Sequence, residues 1–287
     1  MSAPVIRNAT AAEFETAVEW AAAEGWNPGL DDTPAFHAVD PDGFFMGFVD
    51  DRPVSSISVV RYGGAFGFLG FYIVHPDYRG TGAGLAIWRA GMAYLDGCTV
   101  GLDGVVAQQD NYRRSGFELA GRNIRHTGVP AIPAGGGDDA DIAPVTFADL
   151  AEVSAYDRRH FPADRSAFVR DWTLPTDTPT TRRTRIARRN GAVAGYGTIR
   201  ACRSGCKIGP LFADDTDVAA ALFAALVLDM PAGSEVSFDT PEGNPAAVAL
   251  ARDAGLAPAF ETARMYRGTD PMLPQERIFG VTTFELG

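Results

Sequence analysis

Apolar positions along the chain switch repeatedly between two spacings: short contiguous or alternating runs that suit strands, and longer stretches with a helical repeat. Residues 5–7 predict a strand, and Thr10 stands where it can cap a helix over 11–24 that carries Phe14, Val18 and Ala21 on one face. Residues 24–32 are rich in turn formers around an exposed-looking Trp26. Strands at 44–49 and 53–62 join at Asp50-Asp51-Arg52, and Gly63-Gly64-Ala65 turns the chain into a strand at 66–74. A helix follows with Leu85, Trp88, Met92 and Leu95 on one face, then a strand at 99–106, and the run 117–126 closes this first unit.

Residues 127–140 hold two prolines, three consecutive glycines and two aspartates, the composition of a linker. Beyond it the order of elements returns. A strand is expected at 142–145, helices at 147–160 and 166–174, and a hairpin of 185–189 with 193–201 around Asn190-Gly191. A central strand at 207–212, a helix at 218–228, a strand at 236–240 and a helix at 246–254 complete the second unit. The reading divides the chain into domains at 1–126 and 141–287.

Chemistry concentrates in Val74-His75-Pro76-Asp77-Tyr78-Arg79-Gly80-Thr81-Gly82-Ala83-Gly84, where an apolar strand stops at a proline and a glycine-rich turn opens a helix. Such a turn leaves backbone N–H groups unpaired in the positive field of a helix N-terminus, which suits a diphosphate. A nucleotide-hydrolysing P-loop requires Lys-Ser or Lys-Thr after its glycines, and here Leu85-Ala86 follows. A dinucleotide fingerprint requires a third glycine where Leu85 stands, and a place in the first strand–helix turn; both conditions fail.

Arg79-Gly80-Thr81-Gly82-Ala83-Gly84 resembles the coenzyme A pyrophosphate loop of the GNAT superfamily of N-acetyltransferases. Asn111-Tyr112-Arg113-Arg114-Ser115-Gly116-Phe117 resembles the final helix of that family, in which a Tyr precedes Gly-Phe by four residues. The resemblance implies an α/β (α+β) fold made of two tandem GNAT-like units, each a mixed, mostly antiparallel twisted sheet flanked by helices. It implies acetyl-coenzyme A as co-substrate, held by Tyr72, Ile73, Val74, Arg79, Gly80, Thr81, Gly82, Ala83, Gly84 and Leu85, with Asn111 and Arg114 beside it. Tyr112 then protonates the departing thiolate, since an ordinary phenol is protonated at neutral pH. Glu24, Asp32, His75 and Asp103 are the choices for removing the acceptor's proton, with Glu24 preferred because its loop shapes the acceptor pocket in this family. Trp26 and Asn27 line that pocket in this reading, and Asp239 and Glu285 are available to neutralise a cationic acceptor.

The halves differ where the loop should recur. The second has Phe212-Ala213-Asp214-Asp215-Thr216-Asp217, whose aspartates occupy a helix N-terminus and repel a pyrophosphate, so its coenzyme A site is expected to be degenerate. The Glu24–Gly29 loop, residues 108–112 and the closing residues 278–287 resemble one bacterial tandem subgroup, with an active N-terminal and a divergent C-terminal domain.

A net charge of −11 argues against nucleic acid and suits a neutral or cationic small-molecule or peptide amine. Three cysteines make neither a disulfide framework nor a metal set, so no metal is expected. Without a signal peptide or an apolar run approaching 18 residues, the reading expects a cytoplasmic protein with no membrane contact, monomeric or homodimeric. The function expected is direct acetyl transfer to a primary amine. The alternatives are a non-catalytic acyl-coenzyme A sensor or assembly module, or transfer to oxygen or of a longer acyl chain.

Overall fold

A computed structural model of the chain describes residues 3–132, 140–175 and 180–287. The first half runs β1 (Val5–Asn8), α1 (Ala11–Ala23), α2 (Asp32–Val39), β2 (Phe44–Val49), β3 (Arg52–Tyr62), β4 (Phe66–Val74), α3 (Ala83–Tyr94), β5 (Thr99–Val105), α4 (Gln109–Arg114) and β6 (Glu118–Gly128). The second repeats it as β7 (Asp141–Pro144), α5 (Leu150–Asp157), α6 (Ser166–Thr173), β8 (Arg183–Arg189), β9 (Ala192–Ala201), β10 (Cys206–Ala213), α7 (Thr216–Leu228), β11 (Val236–Pro241), α8 (Pro245–Asp253) and β12 (Ala257–Arg267), then adds β13 (Ile278–Gly280).

Local chemistry accounts for most of these elements. Thr10 and Glu13 form a reciprocal capping box at the start of α1, worth about 1 kcal/mol, and the helix buries Phe14, Ala17, Val18 and Ala21. The β2–β3 and β8–β9 hairpins each turn on two residues with positive φ, Asp50-Asp51 and Asn190-Gly191, the geometry that matches the twist of the flanking strands. On α3 the buried face is Ala83, Ile87, Trp88 and Gly91, whereas Leu85 is exposed, so the expectation that Leu85 shares the core face with Trp88 fails. The helix α2 was not expected either; its run joins the core through Ala35 and Phe36.

Among the described residues the strands form one sheet in the order β1-β2-β3-β4-β5-β12-β6-β11-β10-β9-β8-β7, with β13 attached to β10. The pairs are antiparallel apart from β4–β5 and β10–β11. The order corrects one expectation: the run at 117–126 does not close the first unit. β6 lies between β12 and β11, and β12, a strand the apolar pattern did not show, lies between β5 and β6. The two halves exchange their last strands. β6 runs on to Gly128, so residues 127 and 128 of the expected linker are strand; residues 133–139 lie outside the described part.

Each exchanged strand is locked by an arginine–aspartate pair facing across the ladder. Arg125 of β6 is opposite Asp239 of β11 and donates to both carboxylate oxygens at 2.7 and 2.8 Å. Arg264 of β12 is opposite Asp103 of β5, at 2.8 and 2.6 Å, and Asn123 of β6 adds a bond of 2.8 Å to the same carboxylate. Burial opposes ionisation of Asp239, but the Arg125 guanidinium outweighs it and holds the carboxyl below the usual range.

The residues after β12 form a tail whose positions 278–287 are all buried. In each half the central parallel pair parts after three or four residues, leaving a wedge. In the second half the tail fills that wedge: β13 pairs with β10 at Leu211 and Phe212, and the Val281 amide donates to the Asp239 carbonyl of β11. It then crosses to the first half, where Tyr62 donates to the Leu286 carbonyl at 2.9 Å. Glycines mark both crossings. A Cβ on Gly209 would come within 2.4 Å of the Thr282 carbonyl oxygen, and one on Gly70 within 2.1 Å of that of Glu285.

Replacing Arg125 by Met strands the Asp239 carboxylate in the interior, and we expect a loss of about 3–5 kcal/mol. A drop in the urea midpoint measures it, and adding Asp239→Leu should recover most of the loss. Because Asp239 is held below its unfolded pKa, the contribution of the pair is full above the ordinary carboxylate range and fades as pH falls through the folded value.

Candidate functional site

The wedge of the first half stays open. β4 and β5 pair from Phe66 with Thr99 to Leu69 with Leu102, and past Leu69 the β5-facing edge of β4 lines a cleft of about 590 Å³. A bulge near Phe71, where φ is 46°, sets the direction of this edge. Ser56 holds it by donating from its hydroxyl to the Phe71 carbonyl at 2.8 Å.

At the outer end of the cleft lies the glycine-rich turn. Gly82 is the N-cap of α3 with φ 92°, and the first bond of the helix runs from the Ala86 amide to the Gly82 carbonyl. The amides of Gly80, Gly82, Ala83, Gly84 and Leu85 therefore have no partner among the described residues. Together with the helix dipole they make an anion cradle. Arg79 stands beside it, its Nε donating to the Val74 carbonyl at 3.1 Å and its Nη2 to Glu24 at 2.5 Å.

Of the residues expected to hold a cofactor, Tyr72, Ile73, Val74, Arg79, Gly80, Gly82, Gly84 and Leu85 line the cleft. Thr81 and Ala83 do not: the Thr81 hydroxyl donates back to the Tyr78 carbonyl at 2.7 Å, and the Ala83 methyl packs with Val49 and Val54. Asn111 and Arg114 bond to each other on the exposed face of α4 and are likewise absent from the lining.

Tyr112 lies in the cleft wall, packed on Trp88 with ring centroids 5.7 Å apart and on Phe117. A Cβ on Gly104 would strike its ring at 2.2 Å, so the strand beneath it has room for no larger residue. Burial, and to a lesser degree the neighbouring Tyr72 phenol, raise its pKa above the ordinary value and keep it protonated. Its hydroxyl makes no hydrogen bond among the described residues.

The other expected residues divide. Trp26 lines the cleft, and its carbonyl is held by Arg125 at 2.9 Å and Lys207 at 3.2 Å. Asn27 does not line it: its amide clamps Ser204 of the β9–β10 turn through bonds of 2.8 and 3.1 Å. Asp239 is consumed by Arg125 and is not available to a cationic ligand, a correction whose cause is the strand exchange. Glu24 lines the cleft, and its carboxylate is paired with Arg79 at the cradle. Asp103 is saturated by Arg264 and Asn123. Asp32 is buried against Arg200 and the Gly29 amide, and the His75 imidazole accepts from the Asp77 amide.

The apolar pattern missed the far wall, which the second half supplies. Phe260 and Thr262 of β12, with Phe284 and Glu285 of the tail, complete the lining. Residues 278–287 offered a signal in their apolar richness, but nothing local placed them against Gly70.

The equivalent helix start in the second half has no free cradle. The Asp215 side chain caps α7 by accepting from the Val218 amide at 3.0 Å and is paired with Arg189, while Asp214 accepts from Tyr156. With β13 in the wedge, a residual pocket of about 240 Å³ remains on that side. Among the described residues no helix is long and apolar enough to cross a membrane.

Known proteins share this arrangement. A model of the acetyltransferase (GNAT) family matches residues 6–117, and a model described as an acetyltransferase (GNAT) domain matches residues 153–280. Holothin acyltransferase of Pseudoalteromonas sp. (strain SANK 73390) is 32% identical over 275 residues, covering 96% of this chain and 92% of that protein. A Pyrococcus horikoshii structure described as a candidate acetyltransferase superposes with a TM-score of 0.81 at 20% identity, over 100% of this chain and 97% of the other. A tandem GNAT protein from the clavulanic acid biosynthesis pathway gives 0.64 at 16% identity, over 93% and 99%. The chain belongs to the GNAT acyltransferase family, as a tandem of two such folds.

Proposed function

We propose that the protein is an acetyl-coenzyme A-dependent N-acetyltransferase, moving an acetyl group directly to a primary amine of a small molecule, amino-acid derivative or peptide. The observation that carries this reading is the set of unpaired amides at Gly80 and at residues 82–85 beside Arg79, continuous with the open edge of β4. The amides and Arg79 hold a diphosphate through charge-assisted bonds. The open edge at Tyr72–Val74 offers main-chain groups to an extended amide-bearing arm. An amide on that edge stabilises the oxyanion that develops when the amine attacks the thioester carbonyl. Tyr112, protonated and lacking a partner, then gives its proton to the thiolate as the carbon–sulfur bond breaks. The likeness to holothin acyltransferase supports the reaction class.

Calorimetry with acetyl-coenzyme A, and thiol release against a panel of primary amines, test the reading. Arg79→Ala should weaken acetyl-coenzyme A binding roughly tenfold or more, since it removes a charge-assisted diphosphate contact. Tyr112→Phe should lower kcat on the order of a hundredfold while leaving that affinity nearly unchanged. Glu24→Gln should retain turnover and bind acetyl-coenzyme A at least as tightly, because it frees Arg79 from a competing carboxylate. Lost turnover in that variant would return Glu24 to the mechanism.

A further inference from the structure

Three carboxylates line the cleft: Glu24, Asp103 and Glu285. Glu24 is paired with Arg79, and Asp103 with Arg264 and Asn123. Glu285 is 4% exposed, yet no group among the described residues donates a hydrogen bond to its carboxylate. Its carboxylate oxygens reach the cleft, where a donor group of a ligand can meet them.

Its place is also telling. The Glu285 backbone presses on Gly70, immediately past the last β4–β5 pair, which is the vertex of the wedge. A carrier gripped by its diphosphate at residues 80–85 and laid along the edge of β4 brings its acyl end toward that vertex. The cleft lining also includes the aromatic residues Trp26, Phe260 and Phe284, which gather around the Arg125 guanidinium.

Resting on the N-acetyltransferase reading, we propose that Glu285 binds and deprotonates the acceptor, and that the acceptor is a primary amine borne on a flat apolar body seated among these three rings. The ammonium gives one proton to Glu285, which frees the nitrogen lone pair. The nitrogen–carbon bond forms at the thioester carbonyl, and the carbon–sulfur bond breaks as the oxyanion collapses. The thiolate takes the Tyr112 proton, the nitrogen's second proton reprotonates the phenolate, and the Glu285 proton passes to solvent. One amide, one thiol and one released proton balance the step.

Other charges surround Glu285. Arg125 of β6, Arg200 of β9 and Lys207 of β10 act on it electrostatically, and Asp239 and Asp32 neutralise the first two. A role as counter-charge to Lys207 must therefore be separated from a role toward the acceptor, and Glu285→Asp does so by keeping the charge while shortening its reach.

The test uses the full chain, acetyl-coenzyme A and phenethylamine, with butylamine as the non-aromatic comparison. We expect phenethylamine to exceed butylamine at least tenfold in kcat/KM. Glu285→Gln should lose at least a hundredfold in kcat/KM, with acetyl-coenzyme A affinity by calorimetry within twofold of the parent. Glu285→Asp should fold as the parent does and lose at least tenfold. If Glu285→Asp keeps kcat/KM within twofold, or if butylamine equals phenethylamine, the proposal is overturned. A parent protein that neither binds acetyl-coenzyme A nor releases thiol with any amine overturns the N-acetyltransferase reading itself, a distinct outcome.

Discussion

The structure depends on two buried arginine–aspartate pairs facing across the exchanged strands. Arg125 with Asp239 and Arg264 with Asp103 occupy equivalent places in the two halves, each a bidentate contact inside the sheet. Such pairs repay the cost of removing two ions from water only when both partners are present and well aligned. Because the two places are equivalent, a sheet in which β6 returned beside β5 would set Arg125 toward Asp103 and Arg264 toward Asp239, so the pairs fix the register of each last strand. The exchange in turn brings β12, and with it Phe260 and Thr262, to the wall of the first half's cleft.

The tail uses the same duplication asymmetrically. Two equivalent wedges exist because a parallel pair opens in each half. Antiparallel pairing of β13 with β10 satisfies the edge groups of the second wedge, and Asp215 satisfies the helix start beside it. The first wedge keeps its amides unpaired, and the tail crosses only at its vertex, through Glu285 and Gly70. One segment therefore closes one site and completes the other.

What was legible in the sequence was local. The loop from Arg79 to Gly84, the capping box at Thr10, the Asn190-Gly191 turn and the repeated element order each rest on residues a few positions apart, and each stands in the structure where the pattern placed it. Apart from α2 and the face of Leu85, what was hidden was set by partners more than a hundred positions away. Asp239 reads as a free charge at a strand end until Arg125, 114 residues earlier, is seen opposite it. Asn27 reads as a pocket residue until its amide is found on Ser204, 177 residues later. β12 escaped notice because Pro258 and Ala257 open it, and the value of its remaining pattern lies in burial between two strands of the other half.

This division between local and distant information bears on how the site arose. A diphosphate cradle needs only a turn and the first turn of a helix, so one half can carry it alone. The cleft needs walls on several sides, and here Trp26 comes from a first-half loop that Arg125 and Lys207 pin, while Phe260, Phe284 and Glu285 come from the second half. Loss of the second cradle therefore does not make the second half dispensable. Once β13 had filled its own wedge, the residues following it were committed to the neighbouring one. Substitutions there change the far wall of the cleft without touching the amides of the cradle. The cradle is in this way insulated from the far wall of the cleft: the first is fixed in the short segment around residues 79–85, and the second is distributed over contacts that only the folded tandem brings together.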